Sequence, residues 1–139
     1  MLIYVNGDSN SAGAELVKTY CFAKDDPKFS HLGYRAHPDA IPLTFGYKLS
    51  QTLNCGFFLD AESASSNDRI LRTTMQFLKE SPKVTQDILI VIGWSSWERE
   101  EWPYGEDFVQ ISASGSDSVP EKMQEKYKTW VSKQTQATL

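Results

Sequence analysis

Histidine and cysteine are the scarce reactive residues of this chain: two of each in 139 residues, and no histidine after position 37. Cys21 and Cys55 are too few and too far apart for a disulfide framework, so they read as two reduced core thiols. His31 and His37 stand six apart without companion ligands, a spacing that suits no metal site, and no cofactor is expected. Basic residues are not in excess. Fourteen Lys and Arg against eighteen Asp and Glu leave a net charge of −4, which argues against a nucleic-acid partner. No apolar run approaches the roughly 18 residues of a membrane span, so no membrane partner is expected. Met1 leads straight into a strand pattern, so no signal peptide is expected either. No internal repeat or low-complexity linker interrupts the chain, and no Gly-rich phosphate loop follows a strand, which weakens a nucleotide-binding reading. What is present, 40% hydrophobic and 23% charged residues, suits one globular domain, 1–139, with a real core.

The stretch around which the rest is organised is Leu2-Ile3-Tyr4-Val5-Asn6-Gly7-Asp8-Ser9. It reads as a short buried strand released by Gly7 into a polar turn. Ser9 falls where strand gives way to helix, a position that suits a nucleophile because the turn fixes its hydroxyl. Asp8, just ahead of a helix, reads as its cap. Ala12 to Ala23 carries a helical pattern that Lys24-Asp25-Asp26-Pro27 breaks. Residues 25 to 41 form a long irregular loop holding His31, Tyr34, Arg35 and His37. Ile41 to Leu53 predicts a second helix with Pro42 in its first turn and Phe45, Leu49 and Leu53 inward, ended by Asn54 or Gly56.

Cys55 to Leu59 has strand length. Asn67 to Lys79 predicts a helix with Ile70, Thr74, Phe77 and Leu78 inward and Ser66 or Asn67 as cap; Asp68-Arg69 reads as a solvated or salt-bridged start. Asp87 to Ile92 is apolar on both faces, as a central parallel strand should be. Phe108 to Ile111 has the length of a short strand. Ser118-Val119-Pro120-Glu121 fits a capping box. The helix after it carries Val119, Met123, Tyr127, Trp130 and Val131 on one side, and residues 133 to 139 are polar and expected to fray.

Three strands alternating with helices imply an α/β fold: a three-layer α/β/α sandwich around a parallel sheet. Ligands on such sheets bind at the carboxyl ends of the strands. Gly7–Ser9, Ser63–Asn67 and Gly93–Ser96 fall there, so three small polar turns are expected on one rim.

The same three turns carry a resemblance. Gly7-Asp8-Ser9, then Ala64-Ser65-Ser66-Asn67-Asp68-Arg69-Ile70, then Ile92-Gly93-Trp94-Ser95-Ser96-Trp97-Glu98-Arg99 resemble, in order, the sequence blocks of the SGNH (GDSL-type) hydrolases. The third block is similar to the SGNH-type proteins of tailed bacteriophages. The resemblance implies an SGNH-hydrolase/flavodoxin-like fold and Ser9 as nucleophile. It implies an oxyanion hole from the N–H groups of Ser9 and Ala64 with Ser95 or Asn67. It also implies a location in the host cytoplasm or the virion. Two departures bear on catalysis. Ala64 and Ser95 replace the Gly and Asn of the family pattern, and the family's Asp-x-x-His base has no counterpart here. The chain is therefore incomplete at its C-terminus, or His37 or His31 substitutes, or the chemistry has been lost.

Two functions follow. One is a serine esterase acting on an ester or acylated glycan, with weak or absent catalysis. The other is a non-catalytic phage structural or accessory protein that meets virion proteins through Trp94, Trp97 and Trp102. Those indoles, beside Glu98, Arg99, Glu100 and Glu101, suit packing, an interface or sugar stacking.

Overall fold

The computed structural model describes residues 1–14, 16–17, 35–81, 87–113, 115 and 119–137. It is a mixed α/β fold. β1 (Leu2–Gly7) runs into a four-residue helix, α1 (Ser9–Ala12). A 3-10 turn (Ile41–Leu43) precedes α2 (Phe45–Thr52); β2 (Gly56–Leu59), α3 (Asn67–Glu80) and β3 (Ile88–Gly93) follow. β4 (Glu100–Tyr104) and β5 (Asp107–Ile111) form a hairpin, and a 3-10 turn (Glu121–Met123) leads into α4 (Gln124–Ala137).

The first three strands form a parallel sheet in the order β2-β1-β3, with Tyr4 aligned with Phe58 on one side and Ile90 on the other. The central strand is therefore β1, not the 87–92 run. Ile3 to Gly7 are all buried, whereas β3 is an edge of the described sheet and leaves Leu89 38% and Ile90 36% exposed. Apolarity on both faces says what covers a strand above and below; it does not say what flanks it.

Side chains alternate along β1. Val5 meets α2, where a Cβ on Gly46 would lie 2.6 Å from Val5 Cγ2 and 2.8 Å from the Phe57 ring. This close approach corrects the expected face of α2. Gly46 and Ser50 are buried, while Phe45 and Leu53 are nearly half exposed, because small residues let the helix backbone come down onto the strands. The expected single helix 41–53 is also divided. Thr44 is extended and caps α2, its hydroxyl accepting from Tyr47 N at 3.4 Å. Asn54, in the left-handed region at φ 49°, follows its end.

Tyr4 and Asn6 reach α3. The fully buried Asn6 amide has Thr73 Oγ1 at 2.8 Å, Thr74 Oγ1 at 2.9 Å, the Tyr4 hydroxyl at 3.0 Å and Ile70 O at 3.1 Å, and its Oδ1 accepts from Gly7 N at 2.8 Å. Tyr4 donates to Asp60 Oδ2 at 2.7 Å. Burial, then the Asp60 carboxylate, pushes the Tyr4 hydroxyl well above its ordinary pKa. α3 is capped by Ser66, whose Oγ accepts from Arg69 N at 3.2 Å. Asp68 is exposed, and Arg69 is buried and paired with Glu62 at 2.8 Å.

The helix expected over 12–23 is corrected at its start. α1 stops at Gly13, whose φ of 71° closes the turn with N–H bonds back to Asn10 and Ser9. The rest of that expectation beyond residue 17, with Cys21, lies outside the described residues, as do His31, Tyr34, Pro82 and Ser118. Cys55 is a free thiol. α4 stays helical to Ala137, past the expected fraying point.

β5 contains the expected 108–111 strand; β4 has no counterpart in the sequence reading. Gly105, at φ 64°, opens the two-residue hairpin turn. Val119 and Tyr127 bury against Trp102 and Ile111, with Met123, Trp130 and Val131 packed around them. The hairpin is tied to α3 by a bidentate Arg72–Glu101 pair at 2.7 and 2.8 Å, and by Gln110, which accepts from Ser66 N and Oγ at 2.9 Å each. No described helix is long and apolar enough to cross a membrane.

Candidate functional site

The ends of β1 and β3 lie side by side, Gly7 aligned with Gly93. Both must lack a side chain, because a Cβ on either would overlap the buried Ser11 hydroxyl, which α1 lowers between them. This is the point where the chain leaves β1 for one neighbour and later returns to the other, the usual location of a ligand crevice. Asp8 caps α1, accepting from Asn10 N at 3.0 Å. Ser9 is the first helical residue and half-buried, and among the described residues its hydroxyl makes no hydrogen bond.

The second turn is joined to the first through Glu62, whose N–H donates to Gly7 O at 3.2 Å. Ser65 N and Oγ both donate to Glu62 O, closing a tight turn in which Ala64 takes φ 63°. Ala64 thus occupies, with a Cβ, a conformation that favours glycine. Within the same turn the Ser63 hydroxyl is buried and, among the described residues, without a hydrogen-bond partner.

The third turn is latched to the second. Asn67 Oδ1 accepts from Ser95 N at 2.7 Å and Asn67 Nδ2 donates to Ser95 O at 3.2 Å. Arg99 closes the set: its Nη1 donates to Ser95 Oγ at 2.9 Å and lies 3.7 Å from Asp8 Oδ2. The three turns therefore meet, as the topology implied. Asn67 and Ser95, nominated for an oxyanion, spend hydrogen bonds on each other, and the Ser95 hydroxyl is further engaged by Arg99. Sequence reasoning quoted Arg99 but gave it no role, and missed Ser11. The signal available for both was position: each stands within a few residues of a strand-end glycine.

His37 is buried, and its Nδ1 accepts from Asp39 N at 3.1 Å. That bond assigns the ring proton to Nε2, which then donates rather than accepts. Among the described residues no hydrogen bond joins His37 to Ser9; His31 lies outside them. Trp94 and Trp97 are 61% and 76% exposed on the strap between Gly93 and Arg99. Trp102 corrects the expected surface triad. It is buried, its indole N–H donates to Glu100 Oε2 at 2.7 Å, and its ring meets Trp130 edge-on at 6.1 Å, because β4 turns it into the hairpin core. Among the described residues no group of three or more His, Cys, Asp or Glu could hold a metal ion.

The model of a family of unknown function (DUF6071) matches residues 24–136, a span that contains Ala64, Asn67, Ser95 and Arg99 and begins after Ser9. No curated protein and no solved structure matches the chain.

Proposed function

The chain belongs to that family of unknown function, and from the geometry of its rim we propose that it is an SGNH-hydrolase-like domain of tailed-bacteriophage type with weak or absent catalysis. In this reading the helices on β1 make a three-layer α/β/α sandwich, supported by Val5 facing α2 while its neighbours Tyr4 and Asn6 reach α3. Ser9 takes the nucleophile position, and an ester or acylated glycan is the ligand class of the rim. The observation that carries the reading is the latch itself. The Asn67 amide and the Ser95 hydroxyl are engaged within the protein, and the one described imidazole offers Ser9 no accepting nitrogen. A serine without a base is a poor nucleophile.

The test is intact mass after incubation with a fluorophosphonate, with Ser9→Ala alongside. The expected result is no adduct beyond that of the variant. A stoichiometric adduct that disappears in Ser9→Ala would overturn the reading and establish an activated serine.

The exposure of Trp94 and Trp97 favours a second reading, a virion structural or accessory protein that keeps the fold as a scaffold. Two large indoles held outward on a pinned strap suit a protein contact. This reading expects Trp97→Ala to abolish incorporation into particles and Ser9→Ala to leave it intact; the opposite pattern would sink it.

A further inference from the structure

A second concavity, of about 850 Å³, lies between α3 and the hairpin. Ten of its twelve lining residues are polar or charged, which rules out the apolar pocket that a peptide anchor needs. Its charges are mixed. Arg35, Arg69 and Arg72 face Asp60, Glu62, Glu106 and Asp107, so neither a polyanion nor a polycation finds a matching field.

The cleft is built from the interior outwards. Asp60 is fixed by the buried Tyr4 hydroxyl at 2.7 Å, and Glu62 by the buried Arg69 at 2.8 Å. Glu62 Oε2 makes no hydrogen bond among the described residues. Arg72 spends Nε and Nη2 on Glu101 while its guanidinium lies 4.2 Å over the Phe108 ring. Phe108 remains 44% exposed. The Arg35 side chain is 73% exposed and only 3.7 Å from Glu62 at its closest, so most of its donors face outward.

Preset carboxylate acceptors, outward guanidinium donors and a partly exposed aromatic ring, one face of which Arg72 covers, with nearly balanced charge, match a ligand that is rich in hydroxyls, uncharged, and apolar on one face. We propose that this cleft binds a neutral oligosaccharide, stacked on Phe108 and hydrogen-bonded by Asp60, Glu62 and Arg35. The site is separate from Ser9 and does not rest on the catalytic reading of the rim; a wet, polar cleft of this volume accommodates a short chain of sugars.

The test is retention of the full chain on a printed array of neutral and acidic oligosaccharides, followed by calorimetric titration of the best neutral hit. Retention of neutral oligosaccharides is expected. Phe108→Ala and Arg35→Ala should each weaken binding about tenfold, the difference that one aromatic or charged contact makes. Lys128→Ala, on the exposed side of α4, should bind as the parent does. Both cleft variants alter exposed side chains, and an unchanged thermal midpoint certifies their fold. Failure to retain any neutral oligosaccharide, retention of acidic ones alone, or undiminished binding by Phe108→Ala would overturn the proposal. Loss in Ser9→Ala with retention in Phe108→Ala would move the ligand to the rim and overturn it equally, whatever the fluorophosphonate result.

Discussion

Ala64 holds its backbone at φ 63°, where a Cβ crowds the following carbonyl and only glycine is at ease. Ala64→Gly should therefore stabilise the protein by about 0.5–1 kcal/mol, part of the relief being returned as unfolded-chain entropy. The thermal midpoint should rise by roughly 2–5 °C; a fall would mean that the turn is not left-handed in solution. The resemblance to a glycine-bearing block pointed to this position, but the sequence alone left open whether the turn needed the left-handed conformation. Gly93 presents the converse case. Adding a methyl there drives it into the Ser11 hydroxyl, while Ser11 Cβ stays at an ordinary 3.7 Å. Gly93→Ala should cost about 1–3 kcal/mol by overpacking, and Ser11→Ala should recover most of it in the double variant. Additive losses in urea midpoints would refute the contact. Ser11 carried only one signal, its place shortly after the strand-end Gly7; nothing else local distinguishes a serine that fills a gap between two strand ends from any other helix serine.

At the scale of elements, the hairpin is tied to α3 by a bidentate ion pair beside the Gln110–Ser66 bonds. The Glu101 side chain is 4% exposed, and the Arg72 side chain, 36% exposed, grips it from α3. Burial pushes the Glu101 carboxyl up, but the hydrogen bonds from Arg72 and Gln110 outweigh it, and its pKa lies below the ordinary glutamate value. A depressed folded-state pKa contributes stability that is fully present above the unfolded value of about 4.3 and is lost as pH falls through the folded one. Arg72→Met should destabilise by about 3 kcal/mol at neutral pH, because it leaves a buried carboxylate unpaired. It should also abolish this acid limb, so that urea midpoints taken from pH 6 to pH 3 fall less steeply than in the parent. An unchanged slope would show that Glu101 is not the group involved. The sequence disclosed β1, β2, α3 and the apolar side of α4, since each announces itself by period and cap. It did not disclose β4. Glu100, Glu101 and Trp102 pair with Ile111, Gln110 and Val109, and a strand whose acids are held by Arg72 and by the Trp102 and Trp130 indoles has no apolar alternation to read. Nor did it disclose the buried face of α2, where glycine and serine go inward because contact distance, not hydrophobicity, decides.

Across the molecule, among the described residues, burial around β1 is separate from that around the hairpin. β1 is packed by α2 and α3, whereas Trp102, Ile111, Val119 and Tyr127 close a separate core between the hairpin and α4. Among the described residues the two are joined by polar contacts: Arg72–Glu101, Gln110–Ser66, and the Arg99 link from the strap to Asp8. Polar bridges carry less cooperative weight than shared apolar burial, so the smaller body should open first. Native-state hydrogen exchange is expected to resolve this. Amides of β4, β5 and α4 should exchange through an opening of lower free energy than those of β1, and Trp102→Ala should lower the first set by about 3 kcal/mol, the cost of an emptied aromatic site, while leaving β1 little changed. The rim straddles this division, because Ser9 belongs to the sheet body while Ser95 and Arg99 lead into the hairpin. Opening of the smaller body should therefore loosen Arg99 from Asp8 while the Asn67–Ser95 latch, anchored on α3, persists. If all amides instead report one free energy, the two cores fold as a unit and the rim has no seam along which to move.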